Sequence, residues 1–433
     1  MKKLNRCLRI FLVLGLMFGL VKPVMAAEKP DFRIVTDVLD SGQVVSGVLV
    51  DMKQDVKNDD FDKGSFVVHA KHLYDKTAVV DKDLKILNAY VVKDESGEKA
   101  DTGHFIMLET EKNGTLYWDN PNFSNIPMTL DYQVTQVKAL DSLEQVKVVL
   151  DAKDPINHLV DGFEAKTSKS KLNYRMFTPA EDDHKNALVV WLHGAGEGGD
   201  NNITPITANR GGLGFATPEH QDIFDGAYVI APQSPNFWMD ELKLGDLVLK
   251  GGNYTDAIIS LIEEEIDNND DIDAGRIYIG GCSMGGYQTW KTILAKPEMF
   301  AAAFPVCAAY APTEEELKTV VDLPIWLTHA KVDDTVPVTN SQNTYKMLKD
   351  LGGKVVYTEY PDVTFGGQTY PPHWSWIYVA NNDPVFEDVH IMNWLNEQHI
   401  EVKESSNTTI YIIAGVVIIA GGLWFYNKKK KAS

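Results

Sequence analysis

Residues 276–295 read RIYIGGCSMGGYQTWKTILA. The run from Arg276 to Gly280 suits a buried strand, and the segment after Gly286 has helical character. Between them stands Gly281-Cys282-Ser283-Met284-Gly285, a G-x-S-x-G pentapeptide. At a strand-to-helix turn such a pentapeptide lifts its serine onto a sharp backbone reversal, where neighbouring side chains must be small. Gly286 would ease the approach of strand and helix. The alternative is an ordinary strand-to-helix turn with no chemistry, so the flanking sequence must decide.

Outward from this turn the texture is consistent. Ala187–Leu192 (ALVVWL), Ala227–Ala231 (AYVIA), Ala301–Val306, Pro324–Thr328 and Val355–Glu359 are near-continuous apolar runs of strand length. Tyr254, Ala257, Ile258, Leu261, Ile262 and Ile266 recur at helical spacing, and a second helical stretch covers 340–351. Apolar strands alternating with helices predict a mostly parallel sheet with helices on both faces, over residues 172–400. Residues 151–171 turn polar (EAKTSKSK at 164–171) and read as a linker. Residues 30–150 carry short alternating runs, at Gln43–Val50, Ser65–His69, Leu87–Val92, His104–Glu109, Met128–Gln136 and Gln145–Leu150, separated by turn tokens such as Lys112-Asn113-Gly114. Six or seven such strands predict a small all-β sandwich of immunoglobulin type, without the Cys–Trp–Cys signature. His69 and His72 lack further metal ligands nearby in sequence and read as an exposed strand edge.

A serine needs a base, and the base needs an acid to hold it. In a sheet of this kind the order along the chain is serine, acid, histidine. After the strand ending near His329 comes Asp333-Asp334-Thr335-Val336-Pro337; Asp333 is the candidate acid and Asp334 its rival. After Val355–Glu359 comes a Gly- and Pro-containing loop and then His373, the one histidine before the closing helix. The oxyanion hole needs two convergent N–H donors. Met284, next after the nucleophile, is one candidate, and Ala195, in the small-residue loop His193-Gly194-Ala195-Gly196, is the other. His193 lies well before the serine at a strand end and reads as structural. Trp238, Trp374 and Trp376 are candidate walls of an acyl or aromatic pocket, or ordinary packing aromatics. Cys282 and Cys307 read as buried small hydrophobes, with a disulfide between them as the alternative.

These motifs carry a resemblance. Trp191-Leu192-His193-Gly194, Ala231-Pro232-Gln233, Gly281 to Gly286, His329 to Pro337 (HAKVDDTVP), His373 to Trp376 and Asn393-Trp394-Leu395 resemble the polyhydroxybutyrate-depolymerase-like and "predicted peptidase" esterases of the α/β-hydrolase superfamily over about 170–398. Residues 30–150, notably Phe66–His69, Tyr90–Gly97 and His104–Glu109, resemble the immunoglobulin-like domain that some of these esterases carry in front. The resemblance implies a Ser–Asp–His triad and acyl transfer with no metal and no cofactor. One departure is His329-Ala330 where the family usually has His-Gly, which bears on loop shape. Because the family is functionally broad, substrate identity does not transfer.

Composition bounds the rest. With 433 residues, 44% hydrophobic and 24% charged, the chain is neither disordered nor fibrous. Its net charge of −20 argues against nucleic-acid binding, and three cysteines cannot staple a disulfide scaffold. Lys2, Lys3, Arg6 and Arg9, the apolar run Ile10–Val21 and Val24-Met25-Ala26 have the layout of a signal peptide over 1–26. Residues 401–409 read as a polar linker. Residues 410–427 contain an uncharged apolar run, IYIIAGVVIIAGGLWFY, ahead of Lys428–Lys431 in a basic tail, 428–433, which predicts a C-terminal transmembrane helix with the tail on the cytoplasmic side. The expectation is therefore a membrane-anchored extracellular hydrolase, bacterial by family, acting on a small ester or acylated substrate. A serine peptidase of the same fold and a surface binding or adhesion protein are the alternatives, and the oligomeric state is left open.

Overall fold

The computed structural model describes residues 29–140, 148–244, 247–403 and 411–413. The first part is a sandwich. Its strands are β1 (Asp31–Leu39), β2 (Gly42–Lys57), β3 (Phe66–Tyr74), β4 (Thr77–Asp83), β5 (Ile86–Val92), β6 (Thr102–Gly114), β7 (Leu116–Asp119), β8 (Ser124–Pro127), β9 (Thr129–Gln136), β10 (Val148–Val149) and β11 (Asp151–Ala152). One sheet runs β11-β1-β2-β6-β5 and the other β10-β9-β3-β4, while β7 and β8 form a separate hairpin. Phe32, Ile34, Val48, Val68, Ile106 and Val134 fill the space between the sheets. Alternation along the strands explains this, since every second side chain points inward.

Two strands escape the apolar pattern. In β1 a buried Thr36 interrupts the inward row of Phe32, Ile34 and Val38. Strand β4 is an edge with almost no buried side chain, so it has no apolar face to detect. The expectation for the histidine pair is corrected at one position. His69 is exposed and bonded to Asp81 and Asp83, but His72 is fully buried. Its Nδ1 lies 2.9 Å from the Gly114 carbonyl oxygen and its Nε2 lies 2.8 Å from the Tyr132 hydroxyl. A buried imidazole with both nitrogens partnered sits in the core at little cost.

The second part is built on β12 (Phe163–Thr167), β13 (Asn173–Phe177), β14 (Asn186–Leu192), β15 (Ala227–Gln233), the hairpin β16 (Glu241–Leu244) and β17 (Leu247–Lys250), β18 (Ile272–Cys282), β19 (Ala302–Val306), β20 (Ile325–Ala330) and β21 (Val355–Tyr360). The main sheet runs β12-β13-β15-β14-β18-β19-β20-β21. From β15 to β21 neighbours are parallel, and β12 and β13 add an antiparallel edge. Every residue of β14 is buried. Ala187, Val189 and Trp191 face one core with Phe224, Ile391 and Leu395, and Leu188, Val190 and Leu192 face the other with Ile258, Leu261, Trp290 and Leu348. A sheet covered on both faces gives the unbroken apolar runs seen in the sequence.

Residues 151–171 are more than a linker. They hold β11, a short turn at Val160–Gly162, and β12, whose Phe163 is 2% exposed. An edge strand with one apolar anchor among polar residues looks like a linker in sequence. The two parts also share core: Val38 packs in one cluster of the second part and Phe123 against the other, while Asn157 Nδ2 donates to Thr36 Oγ1 at 3.0 Å.

The expected signal peptide and basic tail lie outside the described residues. So does the expected span, except Tyr411–Ile413, which pairs as a strand with Glu401–Lys403 where a helix was expected. Among the described residues no helix is long and apolar enough to cross a membrane.

If β12 is integral to the sheet, Phe163→Ala will lower unfolding free energy by about 3 kcal/mol, as removal of a buried ring does. Urea denaturation measures this, and a change below about 0.5 kcal/mol, as expected for a surface site, would return the segment to linker status.

Candidate active site

The elbow is formed by backbone constraint. Strand β18 ends at Cys282, and the helix Met284–Ala295 begins immediately after Ser283. Ser283 has φ +56° and ψ −114°, a conformation that non-glycine residues rarely adopt. It is held by three main-chain bonds: Ser283 N–H to Val306 O at 2.9 Å, and Tyr287 N–H and Ala309 N–H to Ser283 O, both at 3.0 Å. A Cβ on Gly285 would lie 1.9 Å from the Leu192 carbonyl oxygen, and one on Gly281 would lie 2.4 Å from it. These glycines are steric necessities of the turn.

His373 and Asp333 are brought together across 40 residues. His373 Nδ1–H donates to Asp333 Oδ2 at 2.7 Å. The other Asp333 oxygen accepts the N–H groups of Thr335 and Val336 at 2.9 and 2.8 Å. His329 donates from Nε2 to Asp333 Oδ2 at 3.0 Å, and its Nδ1 lies 2.8 Å from Ser341 Oγ. Burial opposes ionisation of Asp333, but the bonds from His329 and His373, the His373 charge and the Val336 N–H outweigh it, holding the carboxyl well below the usual carboxylate range. Asp334, the rival acid, is exposed and bonds only its neighbour Thr335.

Cys307 ties this pair to the elbow. Its sulfur lies within 4.8 Å of the Asp333 carboxylate and a His373 ring nitrogen, and the Ser283 N–H and the Ser375 hydroxyl face it. These three donors form the one group of possible metal ligands among the described residues. Burial raises the Cys307 thiol far above its ordinary value, and the carboxylate and imidazole already bond each other, so the set suits acid–base chemistry better than metal binding. Cys282 and Cys307 are both free and buried.

Met284 opens its helix, where first-turn N–H groups lack helical partners. Ala195 opens the short turn Ala195–Glu197 after β14. His193 is fully buried; its Nδ1–H donates to Gly194 O at 2.7 Å and its Nε2 accepts the Ser234 N–H at 3.0 Å. With a main-chain donor on Nε2, the imidazole is neutral, and burial lowers its pKa to about 4. Trp238 has no exposed surface and therefore walls no open pocket; its indole N–H donates to His193 O at 3.0 Å, which fixes the strand end. Trp376 is 8% exposed and meets His373 edge-on, with ring centroids 5.5 Å apart. Trp374 is partly buried beside it.

A family description, "Esterase Ig-like N-terminal domain", matches residues 31–150, and another, "Phospholipase/Carboxylesterase", matches residues 251–365. A solved thermostable esterase is 31% identical, with 85% of this chain and 99% of that one covered and a TM-score of 0.73. The chain belongs to the α/β-hydrolase esterases that carry an immunoglobulin-like N-terminal domain. A ferulic acid esterase (15% identity, 54% and 96% covered, TM-score 0.38) and Zea mays acyl-protein thioesterase 2 (19%, 48% and 98%, 0.32) are more distant neighbours.

In this esterase the N-terminal domain reaches the candidate site at two places that sequence reasoning missed. The β7–β8 hairpin sets Trp118 and Asn125 against Gly196, where a Cβ would meet them at 2.9 and 3.0 Å. The β1–β2 turn sets Asp40 against Tyr370 and Asn381, which flank His373. His329 entered the sequence analysis only as part of a motif; its contact with Asp333 comes from the turn after β20, which no spacing rule records.

Gly285→Ala places a methyl group on the Leu192 carbonyl. It is expected to abolish ester hydrolysis and lower the melting temperature, whereas Gly114→Ala, at the end of β6 with open space around it and no positive φ, should keep full activity. Calorimetry and a turnover assay on both variants test the steric argument.

Proposed function

We propose that this esterase is an extracytoplasmic, membrane-anchored serine hydrolase that cleaves carboxylic esters of small acylated substrates through Ser283, His373 and Asp333. The 2.7 Å bond between His373 Nδ1 and Asp333 Oδ2, with Cys307 linking that pair to the strained Ser283 elbow, carries the reading. Ser283 Oγ attacks the ester carbonyl while His373 Nε2 takes its proton. Asp333, held ionised by its donors, fixes the Nδ1–H tautomer and stabilises the imidazolium. The Met284 and Ala195 N–H groups receive the oxyanion, a single such donor contributing about 3–4 kcal/mol in comparable sites. The imidazolium then protonates the leaving alcohol, and water, activated by the same histidine, releases the acid. No metal or cofactor enters this sequence. The signal-like segment 1–26 and the apolar run before Lys428 support export and anchoring with the catalytic part outside.

Ser283→Ala should cut kcat/KM on p-nitrophenyl butyrate by ~10³-fold or more with an unchanged melting temperature. Retained activity would remove Ser283 from the mechanism. Truncation after Lys403 should move the protein from the membrane fraction to the medium; a truncated chain still sedimenting with membranes would reject the anchor.

A further inference from the structure

Glu197 closes the loop that carries Ala195, and the mechanism above gives it no task. It is 8% exposed. Its main-chain oxygen is anchored by Thr204 Oγ1 and Gln233 Nε2, both at 2.9 Å. Its side chain turns back beneath the loop: Oε2 would lie 3.1 Å from a Cβ on Gly194, next to Cys282. Oε1 takes one long contact, 3.5 Å, from Asn125 Nδ2 of the N-terminal domain. Oε2 is buried and makes no hydrogen bond of proper geometry among the described residues, though the Gly194 N–H faces the carboxyl.

The surroundings offer this carboxyl no counter-charge. His193 is the basic group within ion-pair range, at 4.0 Å from Oε2, but its two nitrogens are committed to Gly194 O and Ser234 N–H, so it stays neutral. From β18 the facing group is Cys282, whose thiol burial keeps protonated. From the hairpin come Trp118 and Asn125, and from β15 and residue 204 come Gln233 and Thr204, all uncharged. Burial pushes the Glu197 carboxyl up to about 7, against smaller opposing effects of the Gly194 N–H and Asn125.

We propose that Glu197 is a positioning residue of the oxyanion loop: its uncharged side chain fills the space against Gly194 beneath that loop, and its ionisation disarms the hole. A negative charge buried directly behind the donors opposes the charge that develops on the substrate oxygen, in a site where water cannot screen it. It also competes for the Gly194 N–H and so pulls on the peptide that aims the Ala195 donor. The proposal rests on the Ser283–His373–Asp333 reading and adds a group that touches no substrate atom.

The test is the pH profile of kcat/KM for p-nitrophenyl butyrate, measured on the full chain from pH 6 to pH 9. The wild-type rate should fall by at least about tenfold on the alkaline side, as for an essential protonated group. Glu197→Gln, isosteric and always neutral, should remove that limb, so its rate relative to wild type climbs at least about tenfold across the range. Asn125→Ala, which deletes the side-chain donor favouring the carboxylate, should move the limb to higher pH. Parallel wild-type and Glu197→Gln profiles, or a limb that Asn125→Ala moves downward, would overturn the proposal. If Ser283→Ala instead keeps its activity in the same assay, the nucleophile assignment fails, whatever the profiles show.

Discussion

The close approach of β14 to the elbow governs the rest of the molecule. The Leu192 carbonyl occupies the space that side chains on Gly281 and Gly285 would need. It can do so only because β14 and β18 pair in parallel with Leu192 opposite Gly281. That register brings the end of β14, and the loop His193 to Glu197 that follows it, alongside Ser283 and Met284. Ser283 and the loop proposed to hold the oxyanion are thus positioned by one sheet contact rather than by side chains reaching toward each other. The strain at Ser283 is sustained because β18 is packed on both faces and Val306 and Ala309 bond its backbone.

The N-terminal sandwich is tied into the same arrangement. It shares core through Val38 and Phe123, and besides the Asn157–Thr36 bond it makes polar contacts with two loops of the site: Asn125 on the turn that carries Ala195, and Asp40 on the segment that carries His373. Loops are the least constrained parts of an α/β sheet, and they hold the groups whose geometry matters most. A domain bearing on those two loops restricts the donor loop and the histidine together. The immunoglobulin-like part is thus a structural component of the hydrolase, not a separately tethered module.

What could be read in the sequence follows from this physics. The buried parallel strands announce themselves because both faces need apolar residues, and the elbow because its glycines admit no substitute. Ser283, Asp333 and His373 could be picked by order along the chain. The edge strands β4 and β12 could not, since an edge needs few buried side chains. His72 was misplaced, and Trp238 was left between pocket wall and packing, for a related reason: a polar or aromatic residue in a strand or loop does not reveal whether its nitrogen finds a partner indoors. The contacts of Trp118, Asn125 and Asp40 join residues far apart in sequence, which no local pattern records. Glu197 sat unnoticed in a run of glycines because its significance lies in what does not surround it.

The two buried carboxyls beside the elbow are pushed in opposite directions by their surroundings. Asp333 accepts from two imidazoles and two main-chain N–H groups, and these overcome desolvation. Glu197, also buried, meets a neutral imidazole, a protonated thiol, the Gly194 N–H and one long amide contact, and desolvation prevails. The two sites differ in their donors: four surround Asp333, while Glu197 is faced by the Gly194 N–H and Asn125 alone among the described residues. That difference fits the proposed mechanism: a carboxylate behind the histidine, where positive charge would develop, and a carboxyl that burial pushes toward its neutral form behind the proposed oxyanion donors, where negative charge would develop. Exchanging the two environments would oppose both steps at once, so the placement of donors around these two acids, as much as the serine itself, sets the direction in which the site moves charge.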